Sequence, residues 1–476
     1  MDAARQRAER AFQRYRGLIP DWPAFLDCMT RPLPATVWAN PLRTSRDAVA
    51  SLLAEAGYRS QPLAWDPLAL RLPADFAAGS HWGLLAGLYQ SQEEVSRLPV
   101  HLLDPQPGER VLDLCAAPGN KTAQMAVAMA NTGTVAANDV QRGRLTAVRQ
   151  VVKRLGLVNV STLVRPGQEF PLRAGAFDRV LVDAPCSCEG TWRKGAWRRE
   201  DPPREVDSAE REWLAARQLD LLRRALQICS PGGRIVYSTC TFAPEENEAV
   251  VDALLREAGA SVALRPARVP GFPGAPGITD WQGRRYDVRL EGALRAWPHA
   301  ADSGGFFVAV LEKLDGRALA RVGPGPVPPS HPVLERIQAR FDLPADAFAG
   351  LVCHGGEGRY LNLLAADHRW PRWPAPETTG LPAVGLQVKP PKPTTALAMA
   401  LGDRARCNRV ELGAAAAEAF RQRRPLSGET IAGGQITGPG HVLVAHRGYT
   451  LGVGRWTAEG MLESQFPKAW KRNLPV

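Results

Sequence analysis

"VLDLCAAPGNKT", residues 111–122, runs from an apolar strand through a Pro-Gly turn into a helix that continues as "AQMAVAMA". The first N–H groups of such a helix are unpaired and lie at the positive end of its dipole, so a polar or anionic ligand group docks there. Three ligands compete for this turn. A P-loop needs G-x-x-x-x-G-K-[ST], and its two glycine positions are held by Cys115 and Asn120, so that reading fails. A dinucleotide fold needs G-x-G-x-x-G, and only Gly119 is present. The third is S-adenosylmethionine, whose nucleoside end carries no phosphate and needs a single glycine turn. "VAAND" ends a second strand at Asp139, twenty residues past Gly119, about the spacing at which an acid takes ribose hydroxyls. The alternative for Asp139 is a helix cap.

Outward from the turn, apolar runs at 110–117, 134–138, 160–164, 178–183 and 233–238 alternate with amphipathic stretches such as "RGRLTAVRQVVKRLG" and "AEREWLAARQLDLLRRALQIC". Apolar strands separated by such helices predict an α/β fold: a parallel, doubly wound, Rossmann-like sheet covered on both faces. It occupies 106–316 and closes with "GGFFVAVLEK". Residues 1–105 read as a small α+β appendage, with a helix at "RDAVASLLAEAG" and an alternating strand at "WDPLALRLP". The Pro/Gly-rich "RVGPGPVPPSHP" (321–332) and "PRWPAPETTGLP" (371–382) read as linkers, which makes 317–382 a linker with a small intermediate region. Residues 383–476 form a last α+β domain, with a helix at "TTALAMALG" and two strands around a turn at Arg447-Gly448.

The chain has 476 residues, a formal charge of +11 and a pI near 9.5. Such a surplus attracts polyanions, nucleic acid first and an acidic membrane surface second; an Arg-rich genome gives the same balance without either. About half of the surplus falls in the last sixth of the chain. No apolar stretch has the ~18–20 residues of a membrane span, and "MDAARQRAERAFQRYRG" is a charged helix rather than a signal peptide, so the expectation is a cytoplasmic protein without membrane contact. The eight cysteines are too dispersed for a disulfide scaffold, and reduced thiols are expected. Cys186 and Cys188 make only a C-x-C with no His nearby, a weak metal signal, and no metal is expected.

Two of these thiols end strands. Asp183-Ala184-Pro185-Cys186 closes the fourth apolar run and Ser238-Thr239-Cys240 the fifth, so in a parallel sheet both reach the rim that carries the Gly119 turn. Beside an activated methyl donor a thiol has a use. C5 of cytosine is a poor nucleophile until a thiolate adds at C6 while a proton or hydrogen bond reaches N3. The enamine then takes the methyl group, the C5 proton leaves and the sulfur is expelled. Asp183 is the candidate acid, and to hold or share a proton near neutral pH it needs a desolvated pocket. Against this, any one cysteine is commonly a small buried hydrophobe.

"LDLCAAPGNKT", "DAPCSCEGTWRK" and "YSTCTFAPEENE", in this order, closely resemble the RNA cytosine-5 methyltransferases of the Sun/Nop family. Glu189, Gly190, Arg193 and Lys194, with "RAWPHAADSGGFF", resemble its bacterial RsmF-like branch, which acts on small-subunit ribosomal RNA. "GLYQSQEEVSRLPVHLLDPQPGERVLDL" and "GPGHVLVAHRGYTLGVGR" extend the likeness over most of the chain. The resemblance implies a class I methyltransferase domain, S-adenosylmethionine as cofactor and 16S ribosomal RNA as partner. It makes Cys240 the nucleophile and Cys186 the thiol that assists product release. Asp183 would hold the base edge and Lys121 would lie beside the reaction centre. Cys115, Ala116, Ala117, Pro118, Gly119, Asn120, Lys121, Asp139 and Asp183 would hold the methyl donor. DNA cytosine methyltransferases instead use a Pro-Cys thiol, which would point to Cys186; Ser187 stands where their Gln follows. Asn120 replaces a glycine usual in the turn, and Cys188 stands where a glycine is common. "LVRPGQEF" offers Pro166 or Gly167 where many relatives hold the adenine amine with an Asp, which leaves backbone groups or Gln168.

"GTWRKGAWRRED" interleaves Trp192 and Trp197 with Arg193, Lys194, Arg198 and Arg199. Guanidinium groups take phosphates and indoles stack on unpaired bases, so this reads as an RNA-contacting loop, with a solvated loop of partly buried tryptophans as the alternative. The basic C-terminal segment resembles a PUA-like RNA-binding module, and the N-terminal appendage reads as another wall of the RNA groove. A transfer RNA methyltransferase and a ribosome-assembly RNA-binding protein without turnover are the competing functions. The expected state is a monomer.

Overall fold

The computed structural model describes residues 2–195, 207–316, 318–323, 330–356, 358–371 and 373–471. Its centre is a mixed sheet whose parallel part contains β1 (Arg110–Asp113), β2 (Thr134–Asn138), β3 (Val160–Leu163), β4 (Phe177–Asp183) and β5 (Cys229–Thr239), in the order β5-β4-β1-β2-β3. β6 (Phe306–Lys313) lies antiparallel against β5. Helices α1 (Asn120–Ala128), α2 (Leu145–Leu155), α3 (Ser208–Ile228) and α4 (Glu248–Ala258) connect them. This is the doubly wound α/β architecture that the alternation of apolar runs predicts.

Period-2 alternation decides which face each strand residue serves. Val111, Val135, Leu181 and Val236 join one core with α1 and α2, while Leu112, Ala136, Val180, Val182, Ile235 and Tyr237 join a second with α3 and α4. Both sets are buried, which is why these strands are apolar throughout instead of alternating with polar residues.

The flanking units depart from the expected division. The stretch 317–382 contains a helix, Pro332–Phe341, and strands Leu351–Gly355 and Tyr360–Ala365, which with Leu381–Gly385 and Lys392–Pro393 make a four-stranded sheet. The expected boundary at 382/383 therefore cuts a strand. The Pro-rich 371–382 is likewise more than a linker, because Thr378–Thr379 pairs with β3 and extends the central sheet. Proline there marks tight turns between very short strands, and composition alone does not distinguish those from a spacer. The N-terminal sheet, built from Ala35–Ala39, Gln61–Pro62, Ala69–Leu72 and Tyr89–Ser91, also shares a core with the last domain: Val37 and Leu70 lie in one cluster with Val410, Val442 and Leu451. Among the described residues, no helix is long and apolar enough to cross a membrane.

One histidine ties the intermediate region to the central sheet. His368 pairs its Nε2 with Ser161 Oγ at 2.8 Å and its Nδ1 with the Gly133 carbonyl at 3.1 Å. Burial pushes its imidazole down to about 4. The unfolded chain binds this proton below about 6.5 and the folded chain only below about 4, so stability is full above pH 6.5 and falls as pH drops toward 4, by on the order of 3 kcal/mol. Urea midpoints at pH 7 and pH 5 are expected to separate in the wild type and to draw together in His368→Gln.

Candidate functional site

The parallel strands end on one rim, and a cavity of about 510 Å³ opens there. Its floor is the turn that precedes α1. Gly119 has φ +107°, and a Cβ at this position would lie 2.8 Å from Val148 Cα, so the turn needs glycine both for its backbone and for its approach to α2. No side chain caps the α1 N-terminus behind it. Of the residues expected to hold the methyl donor, Cys115, Ala116, Ala117, Pro118, Asn120, Lys121, Asp139 and Asp183 line the cavity, and Gly119 shapes the turn behind them. Asp139 is buried. Its Oδ2 accepts the Ala117 N–H at 3.3 Å and lies 3.4 Å from an Arg144 guanidinium nitrogen, and its Oδ1 accepts the Gln141 N–H at 2.9 Å.

Across the cavity, register brings the two reactive strands together. Asp183 of β4 pairs with Ser238 of β5, so the residues that follow each leave the sheet side by side. Cys186 Sγ lies 3.5 Å from Cys240 Sγ and 3.9 Å from Cys188 Sγ. The loop that carries Cys186 is stitched down: the Gly190 N–H donates to the Cys240 carbonyl at 2.8 Å, and the Gly305 N–H to the Gly190 carbonyl at 3.0 Å. A Cβ on Gly190 would stand 2.2 Å from that second partner's carbonyl oxygen, so glycine is what admits the contact. Below, Glu246 takes the Ser187 N–H at 3.0 Å and Gln218 Nε2 at 2.9 Å.

Asp183 does not lie in the desolvated pocket that the sequence reading calls for. Lys121 Nζ donates to its Oδ2 at 2.7 Å and Ser238 Oγ to its Oδ1 at 2.8 Å, and the side chain keeps about 30% of its surface exposed. Lys121 also donates to Ser96 Oγ at 2.9 Å and stands over the Phe306 ring. The pocket's fully desolvated carboxyl is Asp113. Burial pushes it up to about 7, against the pull of the Thr122 hydroxyl, which donates to it at 2.6 Å. Hydrogen bonds with Cys188 and Cys240, then burial, push the Cys186 thiol well up. At Cys240 the bond with Cys186 works toward the thiolate, but Cys188, burial and the Asp183 charge outweigh it, and the thiol is pushed up. Cys188 is held down by its bonds with the other two sulfurs, with Lys194 adding its charge.

The structure corrects the RNA-contacting loop. Trp192 and Arg193 are buried, not presented to solvent. Trp192 Nε1 donates to the Met29 carbonyl at 3.1 Å, and Arg193 donates to the carbonyls of Arg31, Pro32 and Ser303 and pairs with Asp302 at 2.7 Å. They clamp the N-terminal helices to the catalytic unit. Lys194 is exposed and lines the cavity, while Trp197, Arg198 and Arg199 lie outside the described residues. Sequence reasoning missed Ser96, which enters from the N-terminal unit, and the role of Ser238 as the second anchor of Asp183. It also missed Leu214 and Leu221 of α3, which line the cavity together with Gly167 and Gln168.

A doubly wound sheet with a glycine turn, a buried acid just past the end of β2 and facing thiols on its rim defines a Rossmann-like methyltransferase. Residues 100–312 match the family of 16S rRNA methyltransferase RsmB/F. The chain is 32% identical to ribosomal RNA small subunit methyltransferase F of Aeromonas hydrophila, over 91% of this chain and 90% of that one, and it belongs to the RsmB/F family. It is also 37% identical over 297 residues to the mouse 28S rRNA (cytosine-C(5))-methyltransferase, covering 61% of this chain but only 36% of the mouse protein. Among solved structures, a methyltransferase homolog protein from Pyrococcus horikoshii superposes with a TM-score of 0.57 at 30% identity, over 66% of this chain and all of that one.

Proposed function

We propose that the chain transfers a methyl group from S-adenosylmethionine to C5 of a cytosine in 16S ribosomal RNA through a covalent bond between Cys240 and C6. The observation that carries this reading is the meeting of the Cys240 and Cys186 sulfurs, 3.5 Å apart, with the Lys121–Asp183 pair in the cavity built on the glycine turn. The residues present fit the methyl donor. The uncapped α1 N-terminus, the Asp139 carboxylate and the orphaned buried Asp113 Oδ1 offer polar contacts, and Leu214, Leu221, Gly167 and Gln168 form a wall suited to the adenine. When bound, S-adenosylmethionine supplies an electrophilic methyl group. The chain's own residues do the rest. Cys240 adds to C6 as its thiol proton passes by way of Asp183, anchored by Lys121 and Ser238, to N3 of the base; Cys186 assists departure of the C5 proton, after which the C5–C6 double bond re-forms, the Cys240 sulfur leaves and the N3 proton returns to it.

RNA positioning falls to the flanking units, the last of them read as PUA-like. A cleft of about 290 Å³ where they meet α2 is lined by Lys153, Lys392, Tyr360 and Trp470. Neither lysine has a carboxylate partner among the described residues, and Lys153, partly buried, is pushed down by burial and by Arg149 and Arg359. An uncompensated positive field beside aromatic rings suits a nucleotide backbone. The enzyme acts in the cytoplasm, where ribosomal RNA is found.

Purified protein with labelled S-adenosylmethionine, offered 16S RNA, assembled small subunits and transfer RNA in separate reactions and mapped by bisulfite sequencing, tests the assignment. New 5-methylcytosine confined to small-subunit RNA supports it. Methylation of transfer RNA alone moves the enzyme to the other substrate, and no methylation of any RNA ends the reading.

A further inference from the structure

The sequence offers a C-x-C pair, and the fold adds a sulfur from 52 residues later. The sulfur atoms of Cys186, Cys188 and Cys240 all lie within 4.8 Å of one another, with two of the separations at 3.5 and 3.9 Å. Zinc–sulfur bonds of about 2.3 Å set thiolate sulfurs roughly 3.8 Å apart around a tetrahedral ion. Two of the three separations therefore already sit near the edge of such a tetrahedron, and the third is no longer than 4.8 Å. The backbone holds them there. Cys188 sits at φ +61°, its carbonyl accepts the Thr191 hydroxyl at 2.8 Å, and the Cys240 carbonyl accepts the Gly190 N–H at 2.8 Å. Cys188 is exposed while the other two are part-buried against the cavity, so an ion enters from the rim and keeps one coordination position open to water in the pocket. Two of the sulfurs have a use in the proposed methyl transfer, and Cys188 has none.

We propose that Cys186, Cys188 and Cys240 form a binding site for a thiophilic d¹⁰ cation, zinc being the type, and that occupancy blocks the Cys240 sulfur and arrests methyl transfer. Soft thiolates favour such cations over magnesium or calcium. Each metal–sulfur bond takes the place of an S–H bond or of a free thiolate charge; the displaced protons pass to solvent, and nothing is oxidised or reduced. The blocking half rests on Cys240 being the nucleophile; the binding half does not.

The test uses the full chain, reduced and freed of metal, titrated with zinc against a chromophoric chelator in the absence of RNA and methyl donor. Wild type is expected to take up one ion per chain. Cys188→Gly, whose φ suits glycine, is expected to lose at least about 100-fold in zinc affinity while still methylating RNA, its own zinc-free rate serving as the reference. Zinc uptake well below one per chain, or equal affinity in Cys188→Gly, overturns the site. In a parallel assay zinc at saturation is expected to stop methylation by wild type and to spare Cys188→Gly at the same free concentration. One bound zinc with undiminished methylation overturns the blocking half, and a protein that binds zinc but methylates no RNA at all fails the functional reading without touching the site.

Discussion

Cys186→Ala is expected to accumulate a covalent protein–RNA adduct, whereas Cys240→Ala yields neither adduct nor product. Both sulfurs reach the same cavity, so their roles follow from what surrounds each. Cys240 leaves the end of β5 packed against the apolar cluster that includes Leu181, Val236 and Phe306, and its carbonyl is fixed by Gly190. That rigid seat suits an atom that must attack along one line. Cys186 sits on the loop across from it, 3.5 Å away, close enough to face the same base once one is bound. Once C6 bears the Cys240 sulfur and C5 the new methyl group, the adduct resolves only when the C5 proton is taken and its electron pair re-forms the double bond. Without Cys186 that step stalls, and the RNA stays attached. Without Cys240 the first bond does not form, and turnover falls by on the order of 10⁴-fold or more. Labelled RNA running with the protein on a denaturing gel reads both outcomes; an adduct formed by Cys240→Ala would exchange the two assignments.

The sheet and the pairing of the thiols are legible in the sequence for one reason. Strands buried on both faces are apolar throughout, so their ends are sharp, and in a parallel sheet those ends share a rim. Asp183 beside Ser238 is that rule at atomic scale. The residues that escaped reading are those whose partners are remote. Trp192 and Arg193 look alike as an RNA-stacking loop or as a clamp, and only the carbonyls of Met29 and Ser303, 163 and 110 positions away, decide for the clamp. Ser96 carries no local signature of its contact with Lys121. The 371–382 segment looks like a spacer because two strand residues at Thr378–Thr379 are too few to show a period.

Asp183→Asn is expected to lower turnover by roughly 10²- to 10³-fold while the protein stays folded. The carboxylate receives two donors, Lys121 Nζ at 2.7 Å and Ser238 Oγ at 2.8 Å, one on each oxygen. An amide has a single acceptor oxygen, so one donor must face an NH₂ group, and the ammonium of Lys121 loses its counter-charge. The anchor and the base edge it is proposed to hold are disturbed together. Ser238→Ala removes one anchor and leaves the ion pair, and its loss should be nearer tenfold. The step affected is the first one, because sulfur adds to C6 only as N3 is engaged. Combining Asp183→Asn with Cys186→Ala therefore gives a sharper readout than either alone: the trapped adduct should form at least 100-fold more slowly than in Cys186→Ala. If the double variant traps RNA at the rate of Cys186→Ala, Asp183 acts after the covalent bond is made, and its place in the addition step is lost.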